Sequence, residues 1–129
     1  MIVRSLFIGE RTNEMKEFEN KIQYKDKEYI IAFNLNVMEE IQEKFGSLEA
    51  WGDLTDGTKG EPNAKAVIFG FTAMINEGIE IANEENGTND KPLTLKQVGR
   101  MITEIGLVEA TKKLNETVVE STKSDEKNV

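Results

Sequence analysis

The sequence contains no histidine and no cysteine. Without histidine, the chain lacks the side chain that most often serves as acid or base near neutral pH, activates nucleophiles and ligates metals. Without cysteine, it can form neither a disulfide framework nor a thiolate zinc site, and nothing points to an oxidising compartment. These absences favour a protein that binds another protein, not an enzyme, and no cofactor or metal is predicted.

Positive charge is also scarce. Lys and Arg total 16 against 24 Asp and Glu, which gives a net charge of -8 and an isoelectric point near 4.7. Such a chain repels phosphate backbones and anionic lipids, so neither nucleic acid nor membrane is expected as a partner. The apolar run at residues 66–75 is about half a membrane span, and residues 1–8 end too early for a signal sequence. The predicted location is therefore the cytoplasm.

Length and composition indicate one domain. A chain of 129 residues can bury a modest core but not two independent ones. Residues 15–120 are predicted to form that domain. Residues 1–14 are interpreted as an N-terminal arm or extra strand that need not belong to the core. Residues 121–129 are polar and are predicted to form a disordered tail.

Residues 18–33 alternate between apolar and polar side chains. Ile22 and Tyr24 share one parity, Tyr29 and Ile31 share another, and the polar residues 25–28 separate them. Period-two patterning on both sides of a polar turn predicts a β-hairpin. An isolated hairpin is marginal in water, so its apolar face is expected to pack on helices.

Capping residues and helical spacing predict four or five helices after the hairpin. Asn34 or Asn36 would begin the first of them, with Glu39 three residues after Asn36 as in a capping box. A long apolar helix over residues 64–82 would form the centre of the core. Together these elements predict an α+β, mostly helical fold with an N-terminal β-hairpin. Further caps are predicted at Ser47, at Pro62 or Asn63 and at Thr94 with Gln97, and glycine stops at Gly46 and Gly106.

The remaining polar motifs do not form a catalytic or ligand-binding pattern. The glutamates of the first helix fit a solvated helix face. The loop that begins at Asp53 departs from a calcium loop, because Thr55, Gly57 and Ala64 stand at positions that should carry ligands. No catalytic residue is therefore assigned.

Apolar surface is the feature that remains. The helices carry more apolar side chains than so small a chain easily buries, so it is expected either to oligomerise or to offer a groove to a helical partner. Methionine adapts to varied apolar partners, and tryptophan often anchors an interface. A plain core role stays open for each residue and is favoured for the tryptophan. The candidate partner-binding residues are Trp51, Met74, Met101, Ile102 and Ile105.

Three segments resemble parts of a known family. The stretch YIIAFNLNVMEEIQEKFGSL at residues 29–48 resembles the hairpin and first helix of phage tail assembly chaperones. The apolar residues 66–80 and the stretch PLTLKQVG at 92–99 resemble the second half of that family. The likeness covers roughly residues 18–119, consists of caps and apolar spacings, and leaves out residues 1–14.

The resemblance implies a function. Chaperones of this family bind the tape measure protein, keep it soluble and help to recruit tail tube proteins in the host cytoplasm, and they are absent from the mature virion. One alternative is a prophage-encoded regulatory module that binds a host target, and another is a small enzyme that uses carboxylates. A tail tube gene upstream and a long tape measure gene downstream would distinguish the chaperone from the regulatory module.

Overall fold

The computed structural model describes residues 20–128, with side chains described to Thr122. In this part of the chain an antiparallel hairpin of β1 (Asn20–Tyr24) and β2 (Lys27–Ile31) precedes five helices. This order confirms the predicted α+β, mostly helical class. The predicted arm at residues 1–14 lies outside the described residues. The helices are α1 (Leu35–Phe45), α2 (Leu48–Thr55), α3 (Ala64–Asn86), α4 (Leu95–Ile105) and α5 (Leu107–Asn128).

The hairpin has a shorter turn than the sequence suggested. Tyr24 pairs with Lys27, so only Lys25 and Asp26 form the turn, and Lys27 and Glu28 belong to β2. Lys25 has a φ of 58°, a left-handed conformation that two-residue hairpin turns require although the residue is not glycine. Ile22 lies opposite Tyr29 on the face that packs on the helices.

Helix α3 is the centre of the molecule. It contacts β2 and each of the helices α1, α2, α4 and α5. Because these neighbours cover α3 on several sides, it carries apolar residues on more than one face. Phe71, Met74 and Ile75 are fully buried along it.

Two glycines of α3 allow its neighbours to approach closely. A Cβ on Gly70 would overlap the indole ring of Trp51, and a Cβ on Gly78 would overlap the backbone carbonyl of Ile30 in β2. The end of the hairpin is also fixed to α3 by a hydrogen bond of 3.2 Å from the Ala32 amide to the Met74 carbonyl. Glycine is required at position 78 because backbone approaches backbone there.

Local capping signals fix most helix ends. The side chains of Ser47 and Asn63 accept hydrogen bonds from the amides three residues further on, as predicted. Thr94 and Gln97 form the predicted capping box, and Gly46 and Gly106 end their helices. Asn34, not Asn36, caps α1, and no acidic residue stands in its first turn. The Asn36 and Asn34 amides instead both donate to Glu77 of α3, at 3.2 and 2.8 Å.

Helix α5 continues past the predicted end of the domain at residue 120. Its backbone is helical to Asn128, which includes most of the polar segment predicted to be disordered. Residues 121–128 contain neither glycine nor proline, so no local signal stops the helix. Across residues 20–128, no helix combines the length and hydropathy that crossing a bilayer requires.

Candidate functional site

The structure places most of the predicted partner-binding residues inside the core. Trp51, Met74, Met101 and Ile102 are 2, 0, 1 and 5% exposed, and Ile105 is half-buried against them. In this conformation the first four present almost no surface to a partner. Their position agrees with the core role that the sequence left open.

Trp51 is held in the core by a hydrogen bond and by close packing. Its indole N–H donates to the Ala66 carbonyl at 3.0 Å, and its ring packs against Gly70. A buried indole needs such a partner for its polar end. Loss of the ring would leave a large cavity between α2 and α3, at a cost of about 3–5 kcal/mol.

An open groove of about 690 Å³ lies between α3, α4 and the end of α1. We call it the α3–α4 groove. It is the larger of the two hollows described within residues 20–122. It is lined by Lys44 of α1, by Lys65, Ile68 and Phe69 of α3, and by Leu95, Lys96, Gly99, Arg100 and Thr103 of α4.

The floor of the α3–α4 groove is apolar. Leu95 is 52% exposed, and Ile68 and Phe69 are half-buried. The Phe69 ring is held by an edge-to-face contact with Phe45, with ring centroids 5.6 Å apart. Apolar side chains in an open concave surface are the typical floor of a helix-binding groove.

Glycine keeps the groove open on the α4 side. Gly99 faces Ile68, and a Cβ there would meet the Ile68 Cδ1 atom at an ordinary contact distance of 3.6 Å. There is therefore room for a side chain at position 99, and the space is left empty. A larger residue at this position would occupy the volume of the groove.

The charged residues of the groove wall are all cations. Lys44, Lys65, Lys96 and Arg100 line it, and no Asp or Glu is among its lining residues. The ion pairs described within residues 20–122 involve other lysines. In that part of the chain, no carboxylate oxygen lies within 4.0 Å of the four groove cations. The Lys44 Nζ lies 5.9 Å from the centre of the Phe69 ring, where its charge is attracted to the aromatic face.

Two hydrogen bonds attach the loop before α4 to α3 and help to position the groove. The Asn76 side chain on α3 donates to the Leu93 carbonyl at 3.0 Å and accepts from the Leu93 amide at 2.8 Å. These two bonds hold the chain one residue before the Thr94 cap of α4. The start of α4 is thereby fixed against the middle of α3.

A smaller hollow of about 220 Å³ lies between the hairpin and α4. Tyr24, Tyr29 and Gln97 line it, and Arg100 lies between it and the α3–α4 groove. Met101 reaches this hollow with only 1% of its surface exposed. Of the predicted partner-binding residues, none lines the larger groove.

The loop at residues 56–63 is organised by its own side chains. Asp56 accepts from the Thr58 amide at 2.9 Å and from the Thr58 hydroxyl at 2.8 Å. These bonds hold the pKa of the Asp56 carboxyl below its usual value. Over the described residues, no three or more acidic side chains come together as metal ligands would.

The spacing of residues on α4 contains a signal for the groove. Leu95, Gly99 and Thr103 are spaced four residues apart, with Lys96 and Arg100 beside them. Such spacing marks a second stripe on α4 beside the buried stripe of Val98, Met101 and Ile102.

Comparison of the chain with known protein families, with curated protein sequences and with solved structures finds no match.

Proposed function

We propose that this protein is a phage tail assembly chaperone that binds the tape measure protein by packing one of its helices into the α3–α4 groove. The observation that carries the proposal is the groove itself, an open apolar surface beside a well-buried core. The likeness of residues 29–48 and 92–99 to that family supplies the identity of the partner. The chain acts by binding and performs no catalysis.

The proposed partner needs a chaperone because a long amphipathic helix exposes an apolar stripe. A tape measure protein is largely such a helix, and its stripe aggregates when it is left bare. A small domain with an apolar groove covers part of that stripe, and many copies along one helix give avidity from modest individual contacts. The excess of carboxylates on the domain keeps the loaded complex in solution. In the host cytoplasm the bound domain would then recruit tail tube subunits and leave before the virion is complete.

Co-expression with a candidate tape measure protein tests the proposal. The two chains are expected to elute together in size-exclusion chromatography, and the tape measure protein is expected to precipitate when it is expressed alone. A tape measure protein that stays soluble alone and elutes separately would contradict the proposal.

A pair of glycine substitutions assigns binding to the groove. Gly99→Leu places a side chain in the groove and is expected to abolish co-elution. Gly52→Leu is the matched control, because Gly52 is also helical and a Cβ there meets no atom within 4 Å. Equal co-elution of the two variants, with unchanged circular dichroism, would exclude the groove as the binding site.

A further inference from the structure

We infer that the α3–α4 groove selects a helix whose apolar stripe is flanked by Asp and Glu. The inference rests on the proposed function only for the identity of the partner. The charge pattern from which it is drawn belongs to the groove itself and predicts a chemistry that any helix bound there must have.

The charge of the groove runs against the composition of the chain. Carboxylates outnumber cations by 24 to 16 overall, yet every charged residue that lines the groove is a cation. The four cations come from three different helices, Lys44 from α1, Lys65 from α3 and Lys96 with Arg100 from α4. Folding thus brings together on one surface cations that the sequence keeps apart.

These cations share the groove with an apolar floor, so its lining is not purely basic. Phe69, Ile68 and Leu95 line the groove together with them. Lys and Arg can lay their methylene stems along an apolar surface and keep the charged end in water. An occupant that satisfies both parts of the groove therefore buries apolar side chains on the floor and carries carboxylates at the level of the rim.

An amphipathic helix fits these two demands. Its apolar residues recur every three to four positions, and residues on the borders of that stripe come next to the rim of the groove it enters. Glu or Asp at the borders would pair with Lys65, Lys96 or Arg100. Lys or Arg at the same borders would face like charges at close range, so the groove rejects basic helices as well as attracting acidic ones.

Matched peptides test the charge preference. Three fluorescent helical peptides of about 20 residues share one apolar stripe and carry Glu, Gln or Lys at its borders. Fluorescence anisotropy with the full chain is expected to give the tightest binding for the Glu peptide, with the Lys peptide weaker by about tenfold or more because several ion pairs act together. Raising the salt from about 0.05 M to about 0.5 M is expected to reduce that difference. Equal affinity for the three peptides would overturn the inference.

Charge reversal in the groove provides the complementary test. Lys65→Glu with Lys96→Glu is expected to weaken the Glu peptide by about tenfold and to strengthen the Lys peptide, since the sign of the rim changes. Lys91→Glu with Lys112→Glu changes the net charge equally at exposed positions that do not line the groove, and is expected to leave the preference intact. If both double variants lose the Glu peptide equally, net charge and not the groove sets the preference, and the inference is wrong.

The outcomes separate the inference from the proposed function. In one outcome the protein binds the Glu peptide, Gly99→Leu abolishes that binding, and the protein does not elute with the tape measure protein. The charge preference then stands, and the proposed identity of the partner is wrong. Co-elution that persists unchanged in the Lys65→Glu, Lys96→Glu variant keeps the chaperone and overturns the charge preference.

Discussion

Helix α3 meets the hairpin and α4 in two different ways. Toward the hairpin, Gly78 lets the Ile30 carbonyl approach the helix so closely that no Cβ would fit. Toward α4, Gly99 leaves space beside Ile68 that a methyl group would enter at 3.6 Å. A glycine therefore closes one interface and opens the other, and the open interface carries the proposed binding site.

The largest change in stability should come from Gly78→Ala, which adds a methyl group to the closed interface between α3 and the hairpin. The new methyl group would overlap a backbone atom that cannot rotate away, so β2 must move, and we expect a loss of about 3 kcal/mol in the free energy of unfolding. Urea unfolding followed by circular dichroism measures it. A loss below about 1 kcal/mol, the usual size for a point substitution, would show that the hairpin is loosely held and that the comparison is wrong.

Asn76→Ala should have the next largest effect. It removes both hydrogen bonds to Leu93, one of them to a half-buried backbone carbonyl, and we expect a loss of about 1–3 kcal/mol. Asn83→Ala is the control, because that side chain also bonds to the loop, at Asp90 and Thr88, but at exposed positions. Equal losses would mean that burial of the Asn76 tether does not matter to the position of α4.

Gly99→Ala should stabilise the protein and sharpen the contrast with Gly78. Alanine favours a helix interior over glycine by about 0.8–1.0 kcal/mol, and its methyl group meets Ile68 at an ordinary distance. The same unfolding experiment measures this gain beside the loss at position 78. Destabilisation at position 99 would show that the groove is narrower than its geometry indicates.

Glu40→Gln should have the smallest effect, and it tests the acidic side of α1. Partial burial raises the pKa of Glu40, and Glu77, Glu39 and Glu80 raise it further. One helical turn later on the same helix, Lys44 lines the α3–α4 groove.

A carboxyl whose pKa is raised on folding destabilises the folded state once it ionises, and the cost disappears as the pH falls through that pKa to the unfolded value. We therefore expect Glu40→Gln to stabilise at pH 7 by no more than about 0.5 kcal/mol and to have no effect near pH 3. Glu43→Gln, at another exposed position of α1, is the control in urea unfolding at both pH values. A gain that persists at pH 3 would contradict the electrostatic cause.

The sequence predicted the elements well where the signal is local. Ser47 and the pair Thr94 and Gln97 cap their helices through bonds to residues three positions away, so the capping pattern alone locates the helix starts. The choice between Asn34 and Asn36 was left open because both have the right chemistry. In the structure Asn34 is the cap, since its side-chain oxygen accepts from the Val37 amide, while the side-chain amides of both residues donate to the distant Glu77.

The site was harder to predict because the exposure of an apolar residue depends on its neighbours in space. Met101 and Leu95 both look like members of one apolar stripe of α4, yet Met101 is 1% exposed and Leu95 is 52% exposed. The sequence pattern fits Trp51 both as an interface anchor and as a core residue, and its contacts with Gly70 and the Ala66 carbonyl place it in the core. Neither contact leaves a periodic trace in the sequence.

Periodicity and capping act over a few residues, so they predict the class of the fold, the hairpin and the starts of most helices. Which apolar face stays open, and which charges lie beside it, depends on how the helices pack. Lys44, Lys65 and Lys96 lie on separate helices, and their common surface exists only because α3 is packed between α1 and α4.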